Sequence, residues 1–306
     1  MKIALTTSVL ALTAASAMAD CSTVTFSDVG WTDITATTAV ATTVLEALGY
    51  DTETRVLSVP VTYVSLEQGD VDVFLGNWMP TMEADIAPYL EKGTVDSLRA
   101  NLEGAKYTLA TNAAGAALGI TDFAAIAAQA DALDATIFGI EPGNDGNRLI
   151  LDMITADAFG LKDFDVKESS EQGMLSQVAR LSKKDEPIVF LGWAPHPMNA
   201  NFDLTYLSGG DEWFGPNYGG ATVHTNTRAG YVAQCPNVGA LLQNLSFSLE
   251  MENEIMGAIL NDGIEATDAA KTWLTANPSV LDAWLDGVTA ADETDGLSAV
   301  KTALGL

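Results

Sequence analysis

Short apolar runs typical of buried strands alternate with segments of helical spacing along most of the chain, and this alternation constrains the fold most. The clearest strand is Asp70–Leu75, and Pro187–Leu191 is a second. Helical spacing is clear over Thr35–Leu48, which ends at Gly49, a common residue at helix C-termini. This βαβα order predicts an α/β protein with a largely parallel sheet in each domain.

The other predicted elements continue the same order. Further strands are predicted at Thr23–Ser27, Glu53–Val59, Lys106–Thr111, Thr136–Ile140 and Tyr231–Gln234. Further helices are predicted at Val61–Glu67, Asp122–Ala135, Arg148–Phe159, Gly173–Lys184 and from Val238 onward, with breaks at Gly263, Pro278 and Gly287. With 306 residues the chain suits two domains, because one domain usually takes roughly 100–200 residues.

The charge balance excludes several classes of partner. Asp and Glu number 41 against 14 Lys and Arg, a formal net charge of -27 at pH 7. Nucleic acids and anionic lipid surfaces both need a basic face, so neither is an expected partner. Apolar residues make up 48% of the chain, which is enough for a packed core and excludes disorder. The charge suits a cationic or neutral small ligand, although an acidic surface also serves solubility alone.

The first nineteen residues have the pattern of a signal peptide. Met1-Lys2 is followed by the apolar run Ile3–Leu12 and by the small-residue site Ala17-Met18-Ala19. The alternative is a buried N-terminal helix. A lipoprotein would carry cysteine at the first mature position, whereas Cys21 would be the second, so we expect no lipid anchor. The sequence therefore predicts an exported, soluble protein.

The two cysteines of the chain, Cys21 and Cys235, fit an exported protein. An oxidising compartment favours their pairing as a disulfide, and two free thiols are the alternative. A bridge would bring the start of the chain against its last third. One domain would then be discontinuous.

Three tryptophans follow predicted strands at similar positions. Trp31, Trp78 and Trp193 each come after a strand and shortly after a glycine. Open α/β sheets bind ligands at the carboxyl ends of their strands. Each tryptophan taken singly is more typical of a core, but three at equivalent positions favour a shared cleft. Indole faces attract cations, and aromatic cages hold quaternary ammonium groups, which have no N–H to donate.

Two polar residues stand near these positions. Asp33 follows Trp31 by two residues and could accept a hydrogen bond from a ligand, or favour the start of a helix through the helix dipole. Asn144 lies in the turn-rich segment Glu141–Asn147, and ordinary turn chemistry is its alternative role.

Several ordered motifs carry a resemblance over essentially the whole mature chain. The sequence resembles the periplasmic substrate-binding proteins of ABC importers for quaternary ammonium compounds, and most of all their choline-binding members. The motifs are the secretion signal, Asp28–Asp33, Gly69–Trp78, Gly139–Gly143 and Leu191–His196.

The resemblance implies a type II periplasmic-binding-protein fold, with two α/β lobes joined by two crossing strands and a ligand cleft between them. The first lobe is expected at residues 20–109 and 211–306, after a signal peptide at 1–19, and the second lobe at 110–210. The resemblance also implies the disulfide Cys21–Cys235. The two lobes would close over the ligand.

The same resemblance implies a set of ligand-binding residues. Trp31, Trp78 and Trp193 match the cage tryptophans, and Tyr107 matches a cage tyrosine at the lobe crossover. Asp33 and Asn144 match the residues that hold the hydroxyl end of choline. Without the resemblance, Tyr107 would be predicted only as a strand residue facing a core or a cleft.

The implied function is capture of choline, and more weakly of acetylcholine, for delivery to a membrane permease with its ATPase. Glycine betaine and trimethylamine N-oxide are alternative ligands. Asp33 would repel the carboxylate of betaine, whereas it would accept a hydrogen bond from the hydroxyl of choline. It therefore favours choline as the ligand. We expect no metal, no cofactor and a monomer.

An enzyme is the competing class, for example an exported hydrolase of choline esters. His196 and His224 are the only imidazoles in the sequence, and G-x-S-x-G, phosphate-loop and H-E-x-x-H motifs are absent from it. His196 is predicted as a loop residue near the cleft rather than a base. The sequence therefore predicts a binding protein and not an enzyme.

Overall fold

A computed structural model describes residues 21–306, so the predicted signal peptide lies outside the described residues. The strands are β1 Thr23–Asp28, β2 Asp51–Val56, β3 Val73–Met79, β4 Val95–Asn112, β5 Thr136–Phe138, β6 Asp165–Lys167, β7 Val189–Ala194, β8 Leu204–Tyr206 and β9 Gly220–Arg228. The helices of the first half are α1 Thr32–Ala47, α2 Val59–Gln68, α3 Glu83–Lys92, α4 Ala113–Ala117 and α5 Asp145–Thr155. The later helices are α6 Glu171–Ser182, α7 Met198–Asn201, α8 Asp211–Phe214, α9 Pro216–Gly219, α10 Tyr231–Gln234, α11 Pro236–Asn244, α12 Leu249–Leu260, α13 Ala266–Ala276, α14 Val280–Trp284 and α15 Gly296–Leu304.

The nine strands of residues 21–306 join one continuous sheet, in the order β2-β1-β3-β9-β4-β7-β5-β6, with β8 paired to β4. The strands of each end are parallel: β1 pairs with β2 and β3, and β5 pairs with β6 and β7. The middle is antiparallel, because β9 pairs with β3 and β4, and β4 pairs with β7. We call the β2-β1-β3 end with its helices the first lobe, and the β7-β5-β6 end the second lobe.

The crossing strands β4 and β9 connect the lobes. The 18-residue β4 pairs with β9 from Val95 to Lys106 and with β7 from Lys106 to Thr111. The prediction of a largely parallel sheet in each domain therefore holds for both ends of the sheet, while the antiparallel centre consists of the crossing strands that the resemblance implies. It missed β9 because Thr225, Asn226 and Thr227 are fully buried polar residues that hide the apolar pattern of a strand.

Two further predicted elements differ from the structure. Tyr231–Gln234 is the helix α10 and not a strand. Gly230, at φ +73°, turns the chain after β9, and the N–H of Gln234 donates to the carbonyl of Gly230 at 3.0 Å. The segment Asp122–Ala135 contains only two 3₁₀ turns, Phe123–Ala125 and Ala127–Gln129.

Helix α1 fixes one side of the cleft. It is buried along nearly its whole length, because it packs on β1 and β3 on one side and on α12 and α13 on the other. A helix enclosed in this way can be apolar around most of its circumference. Its first turn therefore stands in a defined position at the carboxyl end of β1.

Cys21 and Cys235 form a disulfide with their Cα atoms 5.6 Å apart, so the start of the described chain is tied to the segment between α10 and α11. The predicted pairing is confirmed. Across residues 21–306, no helix has both the length and the apolar character that crossing a bilayer requires.

Candidate ligand-binding site

A small cavity lies between the lobes, beside the crossing strand β4. Every residue that lines it is 5% exposed or less, so its walls are closed off from solvent. The structure brings all six predicted ligand-binding residues to this cavity and adds two that the sequence did not predict. The lining residues are Trp31, Asp33, Trp78, Tyr107, Ile140, Asn144, Asp145 and Trp193.

The first lobe contributes three of these side chains. Trp31 is the residue just before α1, and Asp33 lies in the first turn of that helix. Trp78 is the sixth residue of β3. It lies within the strand rather than in the loop after it, because antiparallel pairing of Trp78 with Val223 of β9 extends the strand.

The crossing strand and the second lobe supply the rest. Tyr107 of β4 pairs directly with Trp193 of β7, and Trp193 too lies within its strand. Asn144 is the N-cap of α5, where its Oδ1 accepts the N–H of Asn147 at 3.1 Å. Its predicted turn role and its place at the cavity are therefore compatible. Asp145 is the first residue of the same helix.

The aromatic rings of the cavity do not stack on one another. The ring of Tyr107 lies 6.0 Å from that of Trp78 and 6.2 Å from that of Trp193, with interplanar angles of 60° and 81°. Inclined rings leave their faces available to a third group. Such faces attract a cation most strongly when the site excludes water.

Carboxylates orient two of the indoles. Nε1 of Trp31 donates to Oε1 of Glu141 at 2.8 Å, and Nε1 of Trp78 donates to Oδ2 of Asp33 at 3.0 Å. With its N–H satisfied in this way, each indole is held in one orientation. Burial raises the pKa of Glu141 to about 7.

Asp33 is the most perturbed acid that lines the cavity. Its Oδ1 is buried and has no hydrogen-bond partner among residues 21–306. Burial, and then the negative charge of Glu171, raise the pKa of Asp33 to about 8. A cation in the cavity would favour its ionised form and reverse part of this shift.

A chain of polar groups forms the opposite wall. Tyr107 Oη donates to Oδ1 of Asn144 at 2.9 Å, and Nδ2 of Asn144 donates to Oδ1 of Asp145 at 3.1 Å. Within the described chain, Oδ2 of Asp145 has no partner, and burial raises the pKa of this carboxyl to about 6. The cavity thus contains one carboxylate from each lobe. In the sequence, only its place next to Asn144 could have predicted that Asp145 lines the cavity.

Glycine is required where α5 meets β4. A Cβ on Gly146 would collide with the hydroxyl of Tyr107 and with the ring carbon that carries it. The absence of a side chain lets Tyr107 reach Asn144 across the cleft.

His196 lies behind the cavity wall, as predicted for a residue near the cleft. Its ring is 5.0 Å from that of Trp193, and it is buried. Nδ1 accepts the N–H of Met198 at 2.9 Å, and Nε2 lies 3.2 Å from Oε1 of Glu171. Both ring nitrogens are therefore engaged, and neither serves as a base for a reaction in the cavity.

Residues 22–276 match the family model described as the substrate-binding domain of ABC-type glycine betaine transport systems. Among curated proteins, an uncharacterised protein of Chromohalobacter salexigens is 53% identical over 130 residues, which are 42% of this chain and 84% of that protein. A glycine betaine/carnitine transport binding protein of Listeria monocytogenes is 32% identical over 130 residues, 42% of each chain.

Solved structures give similarity over nearly the full length. An ABC-transporter choline-binding protein in complex with choline is 71% identical, with a TM-score of 0.92 and coverage of 93% of this chain and 99% of that one. The lactococcal OpuAC protein with bound glycine betaine is 26% identical, with a TM-score of 0.77 over 86% of this chain and 98% of that one.

Proposed function

This chain belongs to the family of substrate-binding domains of ABC-type glycine betaine transport systems, and from that membership we propose that it captures choline and delivers it to an ABC importer. The 71% identity to a choline-binding protein supports choline as the ligand. The observation that carries the proposal is the cavity itself. Three indoles and Tyr107 surround it, and Asp33 and Asn144 stand beside them.

Choline matches these groups at both of its ends. The trimethylammonium head spreads its charge over methyl groups that pack against indole faces, where a desolvated cation gains about 2 kcal/mol or more. The hydroxyl end is a hydrogen-bond donor. Oδ1 of Asp33, which has no partner among residues 21–306, is an acceptor suited to it. Asn144 is the second group that we assign to this end.

Glycine betaine is the second candidate, because the family model describes glycine betaine transport systems and the lactococcal relative was solved with glycine betaine bound. Its carboxylate would share the cavity with Asp33 and Asp145, and like charges in a partly desolvated site repel. Trimethylamine N-oxide has the same head group, but its oxygen needs a donor. Both ligands are therefore expected to bind more weakly than choline.

The remaining parts of the proposal follow from the family. We assign residues 20–109 and 211–306 to the first lobe and residues 110–210 to the second lobe, with closure over the ligand. The signal-like N-terminus supports a periplasmic location, and we propose a monomer that docks on its permease. Transport requires that choline leave unchanged, so we propose no catalytic residue and no hydrolysis of choline esters.

Isothermal titration calorimetry of the purified protein with choline, acetylcholine, glycine betaine and trimethylamine N-oxide tests the proposal. We expect choline to bind most tightly, acetylcholine less tightly and betaine much less. The neutral alcohol in which carbon replaces the choline nitrogen is the matched control, and we expect it to bind at least about 30-fold more weakly. Betaine binding as tightly as choline, or equal binding of the neutral alcohol, would overturn the proposal.

A further inference from the structure

One fully buried carboxylate connects the two sides of the cleft. Glu171, the first residue of α6 in the second lobe, accepts the backbone N–H of Thr32 at 2.9 Å and also the hydroxyl of Thr32. Thr32 is the first residue of α1 in the first lobe. Both bonds therefore exist only while the lobes are together.

Glu171 caps a helix that has no cap of its own. The residue before α1 is Trp31, whose side chain makes no capping hydrogen bond. The first N–H groups of a helix need acceptors, and the helix dipole favours a negative charge at that end. Glu171 of the second lobe supplies both the hydrogen-bond acceptor and the negative charge. When the lobes separate, water must replace this carboxylate at the start of α1.

His196 holds the carboxylate in place. Because Nδ1 of His196 accepts the N–H of Met198, the ring proton lies on Nε2, which donates to Oε1 of Glu171. The same ring lies against Trp193, which lines the cavity. The helix cap and the aromatic wall of the second lobe thus share one support.

The capped turn is also the turn that faces the ligand. Thr32 stands between Trp31 and Asp33, both of which line the cavity. Closure brings the negative charge of Glu171 near Asp33, as the raised pKa of Asp33 reflects. Two carboxylates that approach each other in a buried site repel, and a cation in the cavity offsets that repulsion.

Two other charged contacts across the cleft are less enclosed. Nε1 of Trp31 donates to Glu141 of the second lobe, whose side chain is only half-buried. Arg148 of α5 donates to the carbonyl of Thr81 at 3.0 Å and to Oδ2 of Asp85 at 2.9 Å, but its side chain is 33% exposed. Exposed ion pairs contribute little, whereas hydrogen bonds to a buried charge contribute more. Glu171 is therefore the stronger candidate for holding the lobes together.

We propose that Glu171 is a positioning residue that retains the ligand by capping α1 across the closed cleft. This inference rests on the proposed capture of a cation between the lobes. Glu171 itself does not line the cavity. It acts through Thr32, and its contribution is to the lifetime of the closed, loaded state rather than to the encounter with ligand.

The experiment measures choline association and dissociation rates separately, by stopped-flow tryptophan fluorescence. The variants are Glu171→Gln, Thr32→Ala, Thr32→Ser and the double variant Glu171→Gln/Thr32→Ala. Glu186→Gln, which removes an exposed charge just after α6, is the matched control. Thermal unfolding of each variant checks that it folds.

We expect Glu171→Gln to raise the dissociation rate by about 10- to 100-fold, with the association rate within about two-fold of that of the unsubstituted protein. Thr32→Ala should raise the dissociation rate less than Glu171→Gln does. Thr32→Ser, which keeps the hydroxyl, should have a dissociation rate close to that of the unsubstituted protein. The double variant should fall short of the product of the two single effects, because both remove parts of one contact. Glu186→Gln should leave both rates unchanged.

Three results would overturn the inference: an unchanged dissociation rate in Glu171→Gln, multiplicative effects in the double variant, or a slowed association rate that accounts for the affinity loss. If Glu171→Gln does not fold, the choline dissociation rates of Thr32→Ala and Thr32→Ser still test the inference. Equal rates in those two variants would contradict a role of the Glu171–Thr32 contact in retaining the ligand. Failure of the unsubstituted protein to bind choline would instead refute the proposed function.

Discussion

Nε1 of Trp78 donates a 3.0 Å hydrogen bond to Oδ2 of Asp33, while Oδ1 of the same carboxylate is without a partner among the described residues. The strand β3 and the helix α1 thus hold an indole and a carboxylate as one unit at the cavity. In the proposed complex the indole face contacts the cationic head, and the carboxylate accepts a hydrogen bond from the hydroxyl at the ligand's other end.

Asp33→Asn should weaken choline binding by about 10- to 100-fold, because the ligand hydroxyl loses a charged acceptor. Betaine should lose less affinity or gain some, since the repulsion of its carboxylate is removed, so the gap between the two ligands narrows. Calorimetry with both ligands measures the gap. Asp70→Asn, an exposed acid, is the control and should change neither affinity. An unchanged ratio of the two affinities would contradict the role of Asp33.

Choline affinity should fall as the pH is lowered from about 8 towards 6. In the closed cleft, burial and then the negative charge of Glu171 raise the pKa of Asp33 to about 8, so at lower pH its carboxyl is largely protonated when no cation is present. A cation prefers the ionised form, so binding must release this proton, and affinity falls by at most about tenfold per pH unit. The carboxylate of betaine can accept a hydrogen bond from the protonated carboxyl of Asp33. The affinity for betaine should therefore rise as the pH is lowered.

Proton release measures this linkage directly. The heat of choline binding at pH 7 should differ between buffers of different ionisation enthalpy by an amount that indicates close to one released proton. Glu141, with a pKa raised to about 7, and Asp145, with one raised to about 6, would contribute smaller parts. Asp33→Asn should abolish most of the buffer dependence. A release that persists in this variant would assign the proton to another group.

The alternation of strands and helices was enough to predict the α/β class and the ends of the sheet, because buried parallel strands are almost wholly apolar. The centre was not predictable in this way. Strand β9 buries Thr225, Asn226 and Thr227, and the first half of β4 alternates in exposure without an apolar pattern. Pairing between distant segments, rather than local composition, makes these strands.

The sequence predicted most of the residues that line the cavity, but it did not predict the residues that hold them in place. The tryptophans stand out because each follows a predicted strand. Among 41 acidic residues nothing singles out Glu171, and only its place next to Asn144 points to Asp145. Glu171 lies 139 residues from its partner Thr32. Only the folded chain brings them together, and a single sequence contains no signal for such a contact.

Removing the disulfide should lower stability without changing ligand affinity. The bridge Cys21–Cys235 spans 214 residues, and chain entropy assigns a loop of this length about 5 kcal/mol as an upper value. Urea unfolding of Cys21→Ala/Cys235→Ala measures the loss, and the reduced unsubstituted protein, which keeps both sulfurs, separates the cross-link from packing. Neither cysteine lines the cavity, so the choline affinity of the folded variant should be unchanged. A marked loss of affinity would show that the bridge positions the site.

Trp193 should contribute through its π face and not only through its bulk. Trp193→Phe keeps an aromatic face and should weaken choline binding by less than about tenfold, whereas Trp193→Leu, apolar but without that face, should weaken it by about 30-fold or more. The neutral carbon analogue of choline should not distinguish the two variants. Trp273→Leu, in α13 and away from the cavity, is the control for tryptophan loss. Equal choline affinity in the Phe and Leu variants would contradict a cation–π role, because both retain apolar contact and differ mainly in the ring.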